Sequence, residues 1–434
     1  MAARNSGSGD LRLHTLLGDF RLLLTLFLSF RLMLLLVYQP LLIDGVERGV
    51  SAGGDFLYYY QLGALSGRGL LPVRGWWSEF PPLQSFLITV LYQLVGSNAA
   101  TPAFSHAASY PGFAMLLGLI MLLFDVGNLL LVRRIGAHLH GEATGMALAW
   151  VYAVTLAPLI FIWWNFEPLV AFFLLASVYL LLRGHESRSA LAAAVGALTK
   201  FTPALILGAV WRFRPARAAL RYTAITLAAF ALVYALLFAQ NSAMTAPSLL
   251  AQFNKASYQT VWALIDGNLR TGNFGAAVER LDPANAYVLQ GSPSVIPGWL
   301  RLGAAAVIGL AIFLRVRRFD DRGLVAFTTL TLLIFFLQAQ GWSPQWLAQV
   351  IPLLLVCFPT RDGVTAVVLL SLVTFAEYPF LFIRTGDTGG QIAGALVTPF
   401  VALVLARTGI LIALCVALYR LLRQDPLPAA TRER

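Results

Sequence analysis

Four carboxylates, Asp44, Glu47, Asp55 and Glu79, stand in the polar stretch from Asp44 to Leu83. Asp55 sits in Gly53-Gly54-Asp55-Phe56-Leu57-Tyr58-Tyr59-Tyr60. Glycines before it let the backbone approach a ligand closely. The tyrosines after it, Tyr58 and Tyr59 first, offer flat faces and hydroxyls suited to a sugar. A carboxylate partly shielded from water beside a bilayer is suited to general-base work; a solvated loop aspartate is the plainer alternative. Glu79 lies in Trp76-Trp77-Ser78-Glu79-Phe80-Pro81-Pro82-Leu83, where the prolines restrict the backbone and start a helix. It serves either chemistry or the anchoring of that helix.

Three further positions carry chemistry. Glu167 lies in the short turn Asn165-Phe166-Glu167-Pro168, either facing the same cavity as Asp55 or sitting as an exposed acid at a helix start. Lys200 interrupts an apolar run, and an ionisable residue in such a place is a functional-site hypothesis by default. Its ammonium suits the phosphate of a lipid; snorkelling to the interface is the alternative. Ser343-Pro344-Gln345-Trp346 opens a helix and offers Gln345 to hydrogen-bond and Trp346 to stack on a sugar, or else simply caps the helix. His106 stands without a second His or Cys at ligand spacing, so a structural or solvated role is expected of it rather than metal binding. The two cysteines, Cys357 and Cys415, read as small core hydrophobes.

The elements that position these residues are membrane spans. Of 434 residues, 59% are hydrophobic and 12% charged, against roughly 25% charged in a soluble domain. Apolar runs of spanning length recur, and strand-like alternation for a barrel is absent. The expectation is an all-α polytopic membrane protein with roughly 10–13 transmembrane helices. The start of the chain lacks the short apolar core and cleavage site of a signal peptide.

Spans are expected near 22–43, 112–132, 143–163, 169–182, 218–239, 296–314, 324–340, 345–358, 364–383 and 392–422. The apolar run after Pro81-Pro82 is short and reads as interfacial or re-entrant. The net charge of +11 is almost all arginine, with Lys200 and Lys255 the two lysines. A cytoplasmic N-terminus puts most arginines inside, as the positive-inside rule asks, and gives no reason to invoke nucleic acid. This holds only if the short run after Pro81-Pro82 does not cross and the segment around Lys200 is a helical hairpin with Lys200 near its outward tip; a single crossing there, with one arginine cluster outside, is the alternative. Asp44, Glu47, Asp55, Glu79, Glu167, Lys200, Asp266 and Gln345 then share the outer face. Arg31 and Asp125 lie at similar depth within spans and are expected to form a buried ion pair.

The resulting organisation is a cytoplasmic N-terminus (1–21), a catalytic transmembrane module (22–358) with outer loops at 44–111 and 240–296, C-terminal helices (359–422) and a cytoplasmic tail (423–434). The protein is expected in the cell (inner or plasma) membrane, with both termini cytoplasmic.

This arrangement resembles the GT-C superfamily of membrane glycosyltransferases, in the branch that uses polyprenyl-phosphate sugars such as polyprenyl-phosphate mannose. The residues that carry the resemblance are Asp55 with the tyrosine run, Gly69-x-x-Pro72, and Glu79-Phe80-Pro81-Pro82-Leu83, which is similar to an E-Y-P-P-L element with Phe for Tyr. Asn165-Phe166-Glu167-Pro168, Lys200-Phe201-Thr202-Pro203 and Ser343-Pro344-Gln345-Trp346 follow in order. The resemblance implies an inverting transfer of a sugar from a polyprenyl-phosphate donor to a lipid-linked or glycan acceptor. It places the base on Asp55, with Asp44 as rival and Glu79 and Glu167 as second acids. Lys200, Arg270 and Arg384 are the cations expected at the donor phosphate, and Tyr58, Tyr59, Gln345 and Trp346 the residues expected at sugar and acceptor. Some members use a divalent metal with paired acids; this chain has no adjacent acid pair in its outer segments, and metal use is left open. The competing classes are a lipid-linked glycan flippase or transporter, and a glycan polymerase or ligase using lipid-diphosphate donors. Matching halves of the kind transporters show are not evident.

Overall fold

The structure, a computed structural model, describes residues 13–37, 41–43, 46–48, 55–67, 69–95, 109–155, 165–272, 275–381 and 390–425. Helices of eight or more residues are α1 (Phe20–Val37), α2 (Asp55–Ser66), α3 (Pro82–Leu94), α4 (Ser109–His140), α5 (Glu142–Val154), α6 (Glu167–Leu182), α7 (Glu186–Ala197), α8 (Ile206–Phe213) and α9 (Ala216–Gln240). After a long loop come α10 (Gly298–Arg315), α11 (Asp321–Gln338), α12 (Leu347–Cys357), α13 (Arg361–Phe375) and α14 (Val397–Arg423). Among the described residues six helices are long and apolar enough to cross a membrane, with shorter apolar helices between them. The chain is a multi-pass helical membrane protein.

Helix punctuation follows the sequence closely. Pro82 and Pro168 occupy first-turn positions of α3 and α6, where a missing N–H is harmless. Thr360 caps α13 through Gly363 N–H at 3.2 Å, and Asp320 caps α11 through Gly323 N–H at 2.8 Å. One element departs from the expectation. The first span stops at Val37, and Leu41–Ile43 (β1) pairs antiparallel with Val46–Arg48 (β2).

The segment around Lys200 folds back on itself. At one end Arg214 donates to the Leu181 carbonyl at 3.0 Å, and Arg221 pairs with Glu186 at 2.6 Å. The entry to α7 and the exit from α8 therefore lie side by side. Lys200 lies at the other end, beside Glu167 at the start of α6. Small residues make this hairpin close: a side chain on Gly196 would overlap Pro203 and Phe173.

Arg31 and Asp125 form the buried pair expected of them, at 2.6 Å and almost fully enclosed. Tyr152 donates to the second carboxylate oxygen, and the guanidinium lies 3.3 Å above the Phe27 ring. A second buried pair, Arg407 with Glu377, joins α14 to the segment after α13. Arg407 also donates to the Gln259 carbonyl and lies over Trp342 at 4.6 Å. The C-terminal helices thus reach the same loops as the candidate site.

Candidate functional site

Asp55 is the first residue of α2, where its charge favours the helix N-terminus. Its Oδ2 accepts a hydrogen bond from Gln345 Nε2 at 3.1 Å. Gln345 is presented by the 3-10 turn Pro344–Trp346 at the head of α12. Ser343 before it is extended, as a residue preceding proline should be. Residues far apart in sequence therefore meet through two helix starts, one of them set by Pro344.

Glu167 is the next carboxylate inward, 4% exposed. Asn165 Oδ1 accepts from its backbone N–H at 2.8 Å and fixes the turn. The carboxylate receives the Lys200 ammonium on one oxygen and Gln349 Nε2 on the other, the latter at 2.6 Å. Gln349 is itself oriented by the Thr202 hydroxyl, which donates to its Oε1 at 2.7 Å. Lys200 also lies 4.7 Å above the Trp346 ring, a cation–π contact that spreads its charge toward Gln345. Trp346 is held by stacking on Phe336 at 4.6 Å and by the edge of Trp342 at 5.6 Å.

Glu79 arrives from the loop between α2 and α3 and is fully buried. Arg280 faces it at 3.4 Å and donates to the Tyr58 hydroxyl at 2.9 Å. This loop and the long loop between α9 and α10 interlock here. Trp77 N–H donates to the Arg280 carbonyl at 2.9 Å, Trp77 Nε1 donates to the Asp282 carbonyl at 2.8 Å, and Arg280 stacks over the Trp77 ring at 3.9 Å. Gln252 Nε2 donates to the Glu79 carbonyl at 3.1 Å. Val73, a β-branched residue with φ +62, marks a tight backbone turn in this loop; its N–H donates to the Trp76 carbonyl at 2.8 Å.

Electrostatics tie these groups into one site. Burial first, then the Asp55, Glu167 and Glu79 carboxylates, push the Tyr59 hydroxyl well above its ordinary range. Burial pushes Tyr258 up to about 12, with a Ser343 hydrogen bond working against it and the same three carboxylates adding to it. Lys255 is enclosed beside Tyr258, its ammonium 4.4 Å above that ring. Burial holds the Lys255 ammonium well below its usual range; Glu79 and Asp55 partly restore it, and Arg280 and Arg270 oppose them. Arg280 is disfavoured by burial, yet Glu79 and Tyr58 hold its proton more firmly than usual. Gly341 is required beside this cluster, because a Cβ there would overlap the Tyr258 ring.

Asp55, Glu79, Glu167, Lys200, Tyr58, Tyr59, Gln345 and Trp346 thus gather in one linked cluster. Arg270 lies near Lys255, but its Nη1 is engaged by the Gln290 carbonyl at 3.1 Å. Asp266 is a framework residue, accepting from the Ser257 hydroxyl at 2.6 Å and the Val295 N–H at 2.7 Å. Asp44, Arg384 and His106 lie outside the described residues. Lys255, Arg280, Tyr258 and Gln349 belong to the cluster but were not singled out from the sequence. Lys255 carried a usable signal: it is one of only two lysines among many arginines, and both lysines reach this site. Among the described residues no three His, Cys, Asp or Glu side chains gather to hold a metal ion.

No protein-family model matches the sequence, and no curated protein matches it. Solved structures align loosely. The chain aligns with ArnT from Cupriavidus metallidurans in the apo state at 11% identity and TM-score 0.47, covering 91% of this chain and 76% of that one. With the same protein bound to undecaprenyl phosphate the values are 13% and 0.41, over 91% and 76% of the two chains. With the Archaeoglobus fulgidus oligosaccharyltransferase in the apo form they are 12% and 0.42, over 96% of this chain and 56% of that one. Overlaps this loose decide nothing about activity, and the functional reading rests on the side chains.

Proposed function

We propose that the protein is an inverting glycosyltransferase of GT-C type, moving a sugar from a polyprenyl-phosphate donor to a lipid-linked or glycan acceptor at the outer face of the membrane. The observation that carries this reading is the convergence of Asp55, Glu79 and Glu167 with both lysines of the chain in one cluster. Carboxylates suit activation of a hydroxyl; enclosed cations suit a leaving phosphate.

Asp55 takes the proton of the acceptor hydroxyl. The freed oxygen attacks the anomeric carbon from the face opposite the lipid phosphate. The bond from that carbon to the phosphate oxygen breaks, and its electrons stay on the phosphate. Gln345 aims the Asp55 carboxylate, and Tyr58, Tyr59 and Trp346 supply the faces for sugar and acceptor. Lys200 and Lys255, with Arg280 behind them, stabilise charge developing on the phosphate, which is where preorganised cations lower a barrier. Arg270 and Arg384 remain the outer cations for the donor headgroup. The catalytic module is residues 22–358, and both termini are cytoplasmic in the cell membrane.

The test compares purified wild type with Asp55→Asn in lipid, using radiolabelled polyprenyl-phosphate mannose and a crude lipid acceptor extract. Transfer by wild type, with a loss of about a hundredfold or more in the folded variant, is expected for a general base. Equal transfer moves the base to Asp44 or Glu79. Absence of transfer by both, followed by turnover of a lipid-diphosphate donor, assigns the chain to the polymerase or ligase class. Movement of a lipid-linked glycan across the bilayer without transfer assigns it to the flippases.

A further inference from the structure

We propose that the N-terminus of α10, together with Arg301, binds the phosphate of a membrane lipid, at a place separate from the carboxylate site. Helix α10 is exposed to the bilayer over nearly its whole length, with only 6% of its spanning window enclosed. It starts at Gly298 after Pro297, with no side-chain cap and no acid in its first turn. The N–H groups of Leu300 and Arg301 return to the Pro297 carbonyl, at 3.0 and 3.3 Å. Those of Gly298 and Trp299 face the open end, as the first donors of a helix do.

Arg301 makes this end different from an ordinary helix start. A helical side chain leans back toward the N-terminus, and the Arg301 guanidinium does so: its Nη2 lies 3.4 Å from where a Gly298 Cβ would stand. The residue is 5% exposed. Its Nε and Nη1 have no hydrogen-bond partner, and its Nη2 has only a long bond of 3.5 Å to Gln340 Oε1. The Trp262 ring lies 5.4 Å from the guanidinium carbon. The nearby Asp266 carboxylate is occupied by Ser257 and Val295. An enclosed charge with unsatisfied donors is costly, and an anion at this helix end, met by Nη2, offsets that charge.

The surroundings fit a lipid headgroup. Trp299, Leu300 and Leu302 are 75%, 49% and 51% exposed, and an aromatic at the start of a lipid-facing helix fits the membrane interface. A phosphate at that level receives the helix N–H groups, the helix dipole and a guanidinium fork together. A phospholipid and a polyprenyl phosphate both present this group. The site is independent of sugar transfer and is read without turnover.

Native mass spectrometry of detergent-solubilised full-length protein tests it, with phosphatidylglycerol, undecaprenyl phosphate and phosphate-free diacylglycerol added in separate arms. Wild type is expected to retain at least one of the two phosphate lipids about tenfold better than Arg301→Gln, and diacylglycerol equally in both. The arm that responds names the source of the phosphate. Gly298→Asp covers the case in which Arg301→Gln fails to fold. It places a carboxylate beside the guanidinium and at the helix N-terminus, so the folded protein is expected to keep or gain stability and to lose the lipid. Retention of both phosphate lipids by folded Gly298→Asp, or equally by wild type and folded Arg301→Gln, overturns the proposal.

Discussion

Lys200 and Glu167 make opposite demands that can be separated experimentally. In the structure Glu167 holds Lys200, while the proposed reaction needs Lys200 at a phosphate. Two unit charges about 4 Å apart attract by about 4 kcal/mol at an effective dielectric of 20. Breaking a buried pair by removing one partner costs about 3–5 kcal/mol. The Lys200 side chain is 19% exposed, however, and Gln349 keeps a 2.6 Å bond to the carboxylate when the lysine is gone. Lys200→Met is therefore expected to cost about 2 kcal/mol, with Glu167→Gln recovering most of that in the double variant. Denaturant unfolding in mixed micelles, run as a double-mutant cycle, reads the coupling. Donor affinity is measured on the same four proteins. Lys200→Met is expected to weaken donor binding about tenfold. Glu167→Gln keeps the ammonium and removes its competitor, so affinity is expected to hold or rise. A coupling within about 0.5 kcal/mol of zero refutes the pair. Equal losses of affinity in both single variants refute the assignment of the phosphate to Lys200.

Three further outcomes follow from the geometry. The folded Lys255 ammonium loses its proton more easily than the unfolded one, so the unfolded chain binds more protons from the depressed folded value up to the usual lysine range; stability is expected to rise with pH across that window, and Lys255→Met to flatten the rise in pH-dependent unfolding. Arg31→Met is expected to cost about 3–5 kcal/mol of stability, most of it regained in Arg31→Met/Asp125→Leu, with transfer per folded molecule unchanged. Gly341→Ala is expected to lower stability by about 1–3 kcal/mol through overpacking on Tyr258, and to reduce transfer with it, measured by thermal melting and the mannose-transfer assay.

Much of the architecture is written locally. A run of apolar residues long enough to cross a bilayer must satisfy its own backbone there, so spans such as 216–240 and 298–315 lie within a few residues of their sequence-derived positions. Prolines 82, 168 and 344 set helix starts by removing an N–H, which also needs no tertiary context. The Lys200 hairpin followed from charge alone, because arginines at both its ends had to share one side. The Arg31–Asp125 pair followed from depth, since two opposite charges in an apolar medium have few other partners.

What the sequence could not supply was convergence. The partners of Lys200 and Arg280, and the neighbours of Lys255, depend on which loops interlock. That is decided by contacts such as Trp77 with Asp282 and Tyr258 with Gly341, which join segments with no shared periodicity. The strand pair at 41–48 was missed because a short hairpin beside a span is masked by the apolar composition that extends the helix on paper. Residue types and spacing by themselves determined a polytopic helical protein with carboxylates gathered in its loops and helix starts. Tertiary structure alone decided which cations stand against which carboxylates, because burial and Coulomb interactions act through space rather than along the chain.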